Sequence, residues 1–203
     1  MIITCLDLEG VLVPEVWINV AEKTGIEALK LTTRDIQDYD ELMTHRLKVI
    51  GENNLTLSYI QEVIGTLEPM PGAIEFLDWL RGESQVVILS DTFEEFAAPL
   101  MRQLKMPTIL CHSLSINDQD KITDYHIRIK DPKKKAIQAF RGLNYKTIAA
   151  GDSYNDVSML LEADRGIFFR PPANIPLEYP QLPVAEDYET FKQLISKGLK
   201  ELQ

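Results

Sequence analysis

Two acids stand two positions apart at Asp7-Leu8-Glu9, directly after the apolar run of residues 2–6 and directly before Gly10. In a loop leaving a strand, that spacing turns both carboxylates into one cavity, and the intervening N–H groups with Gly10 let an oxyanion approach closely. One carboxylate can attack while the other moves protons. Acids after strands are also ordinary loop residues, so the pair alone selects no reaction. A second cluster, Gly151-Asp152-Ser153-Tyr154-Asn155-Asp156, follows another apolar run. With Asp7 these acids offer the hard oxygen ligands that Mg²⁺ prefers and leave coordination positions for water and a phosphate oxygen. Asp152 and Asp156 are equally suited to capping the helix that follows them.

Ser90, after Val86-Val87-Ile88-Leu89, offers a hydroxyl either to a phosphate oxygen or to a helix terminus. The lysines at 133, 134 and 135 read first as a solvated face. If a helix begins at Pro132, however, Lys133 shares its apolar side with Ile137 and Phe140, whereas Lys134 goes with Gln138 and Arg141. Lys133 is the inward candidate, and its ammonium could neutralise phosphate charge where electrostatics dominate the chemistry.

These groups need elements that bring them together. Residues 2–6 read as a buried strand. From Pro14 to about Pro69 the pattern is helical, with no convincing strand, and Pro69-Met70-Pro71-Gly72 closes it. Beyond that boundary the chain alternates. A helix is expected over 73–81, stopped by Gly82, then a strand over 85–89, a helix over about 94–104 and a strand over 108–111. An excursion over 113–130 holds two short alternating runs that suit a hairpin. Asp131-Pro132 opens a helix to Phe140, with Asp131 as N-cap. Strands over 147–150 and 166–169 flank a helix ending near Ala163, and a proline-punctuated tail ends in a helix near 188–202. Strands separated by such helices imply parallel pairing in a Rossmann-like, doubly wound α/β sheet, whose ligands collect at the carboxyl ends of the strands. Asp7, Glu9, Ser90 and Asp152 all stand there.

Composition narrows the partners. The chain has 203 residues, 45% of them hydrophobic, with 21 Lys and Arg against 31 Asp and Glu for a net charge of −10. That is globular composition, and the acidic balance disfavours nucleic acid and anionic membranes, which would be repelled at long range. Small-molecule partners are expected, and nothing in the composition opposes an oligomer. Two isolated cysteines, Cys5 and Cys111, make neither a disulfide framework nor a zinc motif and suit a reducing cytoplasm. His45, His112 and His126 have no metal-binding spacing and read as surface or internally satisfied residues. No signal sequence or membrane span is expected.

The ordered conjunction of these motifs resembles the haloacid dehalogenase superfamily, and within it the phosphoserine phosphatase branch. The family's motifs, DxDx[TV], a post-strand Ser or Thr, a Lys, and GDxxxD, match Asp7-Leu8-Glu9-Gly10-Val11, Ser90, Lys133 and Gly151-Asp152-Ser153-Tyr154-Asn155-Asp156. The resemblance implies an α/β core over 1–13 and 71–203, with an all-helical cap over 14–70. It implies Asp7 as nucleophile, Glu9 as general acid and base, and Mg²⁺ held by Asp7, the Glu9 main-chain carbonyl and Asp152, with Asp156 orienting a water. It further implies that Glu15 and Arg46 of the cap recognise a substrate ammonium and carboxylate, and that Ser90, Lys133 and Asn155 contact substrate. Two departures stand beside the reacting centre: Glu9 replaces the usual second Asp, and Asp91-Thr92 replaces the usual Gly-Gly after Ser90, which puts Asp91 at the substrate. Glu9 and the overall pattern look most like the bacterial enzymes of this branch that also pass phosphate from phosphoserine to homoserine. The competing readings are a broader small-molecule phosphatase of the same superfamily and a non-catalytic phosphoacceptor module.

Overall fold

The computed structural model describes residues 1–32, 35–36 and 38–203. Its organising element is strand β1 (Ile2–Leu6), which pairs in parallel with β2 (Gln85–Phe93) on one side and β5 (Lys146–Gly151) on the other. The other strands are β3 (Thr108–Ile116), β4 (Ile122–His126), β6 (Arg165–Phe169) and β7 (Val184–Ala185), giving the sheet order β4-β3-β2-β1-β5-β6-β7. All neighbours are parallel except β3 and β4, the expected hairpin at one edge. The chain runs outward from β1 through β2 to β3 and outward from β5 through β6 to β7, so β1 and β5 flank the switch point where a crevice opens.

Alternation along β1 shows why the sheet is covered twice. Cys5 packs with Ala136, Ile137 and Met159 on one face, from helices α6 (Pro132–Gly142) and α7 (Val157–Glu162). Leu6 packs on the other with Phe76, Phe96 and Phe191, from α4 (Ala73–Glu83), α5 (Glu94–Gln103) and α9 (Tyr188–Leu202). A strand buried on both faces reads as the unbroken apolar run seen in the sequence. Phe76 stacks on Phe191 with ring centroids 4.7 Å apart, and Phe191 lies 4.8 Å from Phe169, tying α4 and α9 to β6.

Between β1 and α4, apart from an isolated β-bridge from Glu9 to Val13, the regular elements of the described residues are helical: α1 (Val16–Thr24), a single 3₁₀ turn (Glu27–Lys30), α2 (Tyr39–Glu52) and α3 (Leu57–Gly65). The helical segment is wedded to the core. Trp17 of α1 meets Phe96 of α5 edge to face at 5.3 Å, and Gln61 Nε2 of α3 donates to the Glu95 carbonyl at 2.6 Å.

Several expectations need correction. Helix α4 runs through Gly82 to Glu83, because the main chain stays hydrogen-bonded and a glycine alone does not end a helix. Asp131 occupies the N-cap position of α6 but in the left-handed region, at φ 51°, and its carboxylate caps nothing; it accepts from Ser158 Oγ at 2.8 Å. The proline-punctuated tail also contains α8 (Ile175–Glu178) and β7, elements too short to leave a periodic signal.

Candidate active site

Strand register brings the site groups level, although β2 does not end at Leu89 as expected but runs on to Phe93 with Ser90 inside it, its pairing with β3 shifting register between Leu89 and Phe93. Leu6 pairs with Ile88 and Ala150, so Asp7, Leu89 and Gly151 share a row, and Ser90 and Asp152 stand one residue beyond it. Asp7 continues the ladder, its N–H donating to the Ala150 carbonyl at 2.9 Å, and its Oδ1 accepts from the Leu8 N–H at 2.7 Å. The remaining oxygen, Oδ2, lies 3.0 Å from Lys133 Nζ.

Helix α6 delivers Lys133 on its buried side, as the periodicity requires, while the Lys134 side chain is 38% exposed and reaches toward Glu162. Lys133 Nζ is 2.7 Å from Asp156 Oδ1 and 3.6 Å from Asp91 Oδ2. Burial opposes its charge, but the carboxylates of Asp156, Asp7 and Asp91 outweigh burial and hold the ammonium protonated well above the usual lysine range. For Asp7, burial and then repulsion from Asp156 push the carboxyl well up, with Lys133 acting against them.

The second acidic loop is shaped by Asp156. Its Oδ2 accepts from the N–H groups of Asp152 at 3.0 Å and Ser153 at 3.1 Å, and Ser153 is the N-cap of the reciprocal capping box. The capping role open to Asp152 is therefore filled by Ser153, which leaves the Asp152 carboxylate free for the cleft. Burial, then Asp156 and Glu15, raise the Asp152 carboxyl to about 7. Two glycines make this crowding feasible. A Cβ on Gly151 would stand 2.2 Å from Asp156 Cγ, and one on Gly10, at φ +73°, would stand 2.5 Å from Asp152 Cγ.

Carboxylate oxygens of Asp7, Asp152 and Asp156 all lie within 4.8 Å of one another, an all-oxygen set that fits Mg²⁺ in donor chemistry and spacing. The Glu9 carboxylate is not in that group. Its Oε2 accepts from the Val16 N–H at 2.8 Å, at the start of α1, and burial followed by the neighbouring Glu15 raises its carboxyl to about 8.

Across a cleft of about 290 Å³, the helical segment supplies Glu15, Trp17, Tyr39 and Arg46. The Arg46 guanidinium lies over the Trp17 ring at 4.4 Å and donates through Nη2 to the Leu31 carbonyl at 3.0 Å. Its Nε is buried with no hydrogen-bond partner among the described residues. Burial lowers Arg46 to about 10, with Tyr39, Glu9 and Glu15 resisting.

Ser90 is buried and its Oγ accepts from the Thr92 N–H at 3.3 Å. Asp91 is a junction: Oδ2 accepts from Asn155 Nδ2 at 2.9 Å, Oδ1 lies 3.8 Å from His112 Nε2, and its carbonyl accepts from Tyr39 Oη at 3.0 Å. The cleft thus gathers Asp7, Glu9, Glu15, Arg46, Ser90, Asp91, Lys133, Asp152 and Asn155, with Asp156 buried behind them. Trp17, Tyr39 and His112 were not singled out for the site by sequence. Tyr39 alone had a signal, since it precedes Arg46 by two helical turns and so shares its face.

Comparison with known proteins places this arrangement. A family model described as haloacid dehalogenase-like hydrolase matches residues 5–164. The chain is 60% identical to phosphoserine phosphatase ThrH of Pseudomonas aeruginosa, covering 98% of this chain and 97% of that one. It is 58% identical to a phosphoserine phosphatase of Pseudomonas syringae, covering 97% and 83%. Among solved structures, a substrate-bound phosphoserine phosphatase complex superposes with TM-score 0.75 at 17% identity, covering 96% of this chain and 97% of that one. A phosphoserine phosphatase from T. onnurineus superposes with TM-score 0.71 at 23% identity, covering 100% and 96%. The two structures speak to the fold.

Proposed function

The chain belongs to the haloacid dehalogenase-like hydrolases, and from that premise we propose that it transfers the phosphoryl group of O-phospho-L-serine, by way of a phosphorylated Asp7, to water and to homoserine. One observation carries this reading: a single cleft holds Asp7 Oδ2 beside Lys133 Nζ and, across from them, an Arg46 guanidinium whose buried Nε has no hydrogen-bond partner among the described residues. The first pair suits a phosphoryl group. The second suits a carboxylate on the same small molecule, with Glu15 available for its ammonium. The names of the two Pseudomonas relatives agree with it.

Asp7 attacks phosphorus in line, and the bond to the serine oxygen breaks as Glu9 gives that oxygen a proton. Lys133 and Ser90 hold the phosphoryl oxygens. Glu9, now a carboxylate, takes the proton of an incoming hydroxyl while that oxygen bonds to phosphorus and the bond from phosphorus to the Asp7 oxygen breaks, restoring the Asp7 carboxylate. Water yields phosphate, and homoserine yields O-phosphohomoserine. Asp7, Asp152, Asp156 and the Glu9 main-chain carbonyl would hold Mg²⁺, which when bound supplies neutralisation of phosphoryl charge. Asn155, held against Asp91, contacts the substrate.

We read residues 1–13 and 71–203 as the core that reacts and 14–70 as the cap that selects. Among the described residues no helix is long and apolar enough to cross a membrane. We place the enzyme in the cytoplasm, where the unpaired Cys5 and Cys111 stay reduced. The test is to follow phosphorus by NMR in a mixture of enzyme, Mg²⁺, phosphoserine and homoserine. Loss of phosphoserine with growth of both phosphate and O-phosphohomoserine is expected. Phosphate alone would remove the transferase half, and unconsumed phosphoserine would remove the whole reading.

A further inference from the structure

The β3–β4 hairpin takes no part in the chemistry above, yet its tip is built to hold the helical segment. Asn117 Oδ1 accepts from the N–H groups of Gln119 and Lys121, both at 3.0 Å, and the Asp120 N–H donates to the Asn117 carbonyl at 3.0 Å. This turn fixes Asp120 at φ 60°, a left-handed conformation that Asp tolerates. Held so, Asp120 presents two acceptors to the first turn of α3. Its carbonyl accepts from the Leu57 N–H at 2.9 Å and its Oδ2 from the Ser58 N–H at 2.9 Å. The helix's own cap, Thr56, takes the next N–H, that of Tyr59, at 3.2 Å. A residue of the core hairpin therefore completes the capping of a helix in the insert, where N–H groups would otherwise lack partners.

The same hairpin grips α2 near its two ends. Tyr125 Oη donates to Asp40 Oδ1 at 2.6 Å at the start of α2, and Lys121 Nζ lies 3.4 Å from Asn54 Oδ1 just past its end. Between these grips, on the same rigid helix, stands Arg46. One residue before Asp40, Tyr39 Oη reaches the Asp91 carbonyl beside Ser90. Arg46 thus stands on a helix that the hairpin holds near both ends and that Tyr39 ties to the Ser90 end of the cleft.

We propose that the β3–β4 hairpin, through Asp120 and Tyr125, is a specificity-determining platform that positions Arg46 for the carboxylate of an amino-acid phosphate. This rests on the reading of Arg46 given under Proposed function. Asp120 and Tyr125 are positioning residues and touch no substrate. A small misplacement of a recognition group weakens use of the substrate that needs it while sparing one that does not.

The test compares phosphoserine with p-nitrophenyl phosphate, which has neither ammonium nor carboxylate, on the Mg²⁺-supplemented full chain. Arg46→Ala first checks the underlying reading: it should damage phosphoserine use far more than p-nitrophenyl phosphate use. Equal losses would overturn that reading and this one with it. Given that separation, Asp120→Ala combined with Tyr125→Phe should raise KM for phosphoserine about tenfold, with p-nitrophenyl phosphate kinetics unchanged within about twofold. Asp120→Asn, which keeps an accepting oxygen, should recover most of the loss. An unchanged phosphoserine KM, or equal losses on both substrates, would overturn the platform alone. Tyr125→Phe by itself, which removes one oxygen from an exposed contact, gives the same comparison at smaller amplitude should the double variant unfold.

Discussion

Lys133 Nζ stands 3.0 Å from Asp7 Oδ2, with both side chains almost wholly buried. The ammonium fixes one oxygen of the candidate nucleophile and favours its charged form in a place where burial and Asp156 oppose that form. Lys133 also contacts Asp156 at 2.7 Å, a second anchor for the lysine that does not depend on the charge of Asp7.

Asp7→Asn should therefore stay folded while phosphoserine turnover falls by at least about 10³-fold, because an amide oxygen cannot form the phosphoenzyme. Turnover of phosphoserine and the thermal melt of the same preparation check both halves. A folded variant with undiminished turnover would end the covalent route.

Glu9 lies outside the Asp7, Asp152 and Asp156 group and bonds to the first N–H of α1, so its substitution separates the two proton transfers. With p-nitrophenyl phosphate the leaving group needs no proton, and Glu9→Gln should still release one equivalent of p-nitrophenol rapidly. The second step lacks its base, so phosphorylated Asp7 should accumulate after that burst. Rapid-mixing absorbance and intact mass are the measurements. Steady turnover without a burst would take the proton role away from Glu9.

Much of this site was legible because its signals are local. Apolar strand runs announce Asp7, Ser90 and Asp152, although the strand carrying Ser90 continues to Phe93, and the period of a helix distinguishes Lys133 from Lys134, whose side chains lie buried and half-exposed as that period requires. What stayed hidden depends on contacts between distant segments. Ser153 rather than Asp152 caps the turn because Asp156 folds back onto the loop. Trp17 becomes a platform for Arg46 only once α1 and α2 pack, and Asp120 becomes a helix cap only when the hairpin meets α3. Strand β7 and helix α8 are too brief for periodicity to reveal.

The acidic group makes a prediction about stability as well as rate. Burying Asp7 and Asp156 near Asp152 is costly while their oxygens crowd within 4.8 Å, and a divalent ion that binds only the folded state relieves that crowding. Mg²⁺ at about 100 times its dissociation constant should add about 2.7 kcal/mol to unfolding free energy, read as a rise in melting temperature over an EDTA-treated sample. Asp152→Asn should lose most of that rise. A Mg²⁺-induced rise of equal size in Asp152→Asn would place the ion elsewhere.

His112 carries the last prediction. It is 4% exposed, its Nδ1 accepts from the Arg128 N–H at 3.3 Å, and its Nε2 faces Asp91 Oδ1 at 3.8 Å. An accepting Nδ1 leaves the proton of the neutral ring on Nε2. Burial lowers its pKa below the ordinary 6.5 despite Asp91, with Arg128 and Lys133 adding to the lowering. The unfolded chain thus binds a proton at this ring before the folded one does, so stability declines as pH falls through 6.5 toward the folded pKa. His112→Asn keeps an acceptor for the Arg128 N–H but cannot titrate. In urea unfolding, the stability advantage of the natural protein over this variant should be largest near about pH 7.5 and should shrink toward about pH 5. An advantage that stays constant on acidification would show a ring whose pKa does not change on folding, and one that grows would show a ring that enters the fold charged; either outcome overturns the prediction.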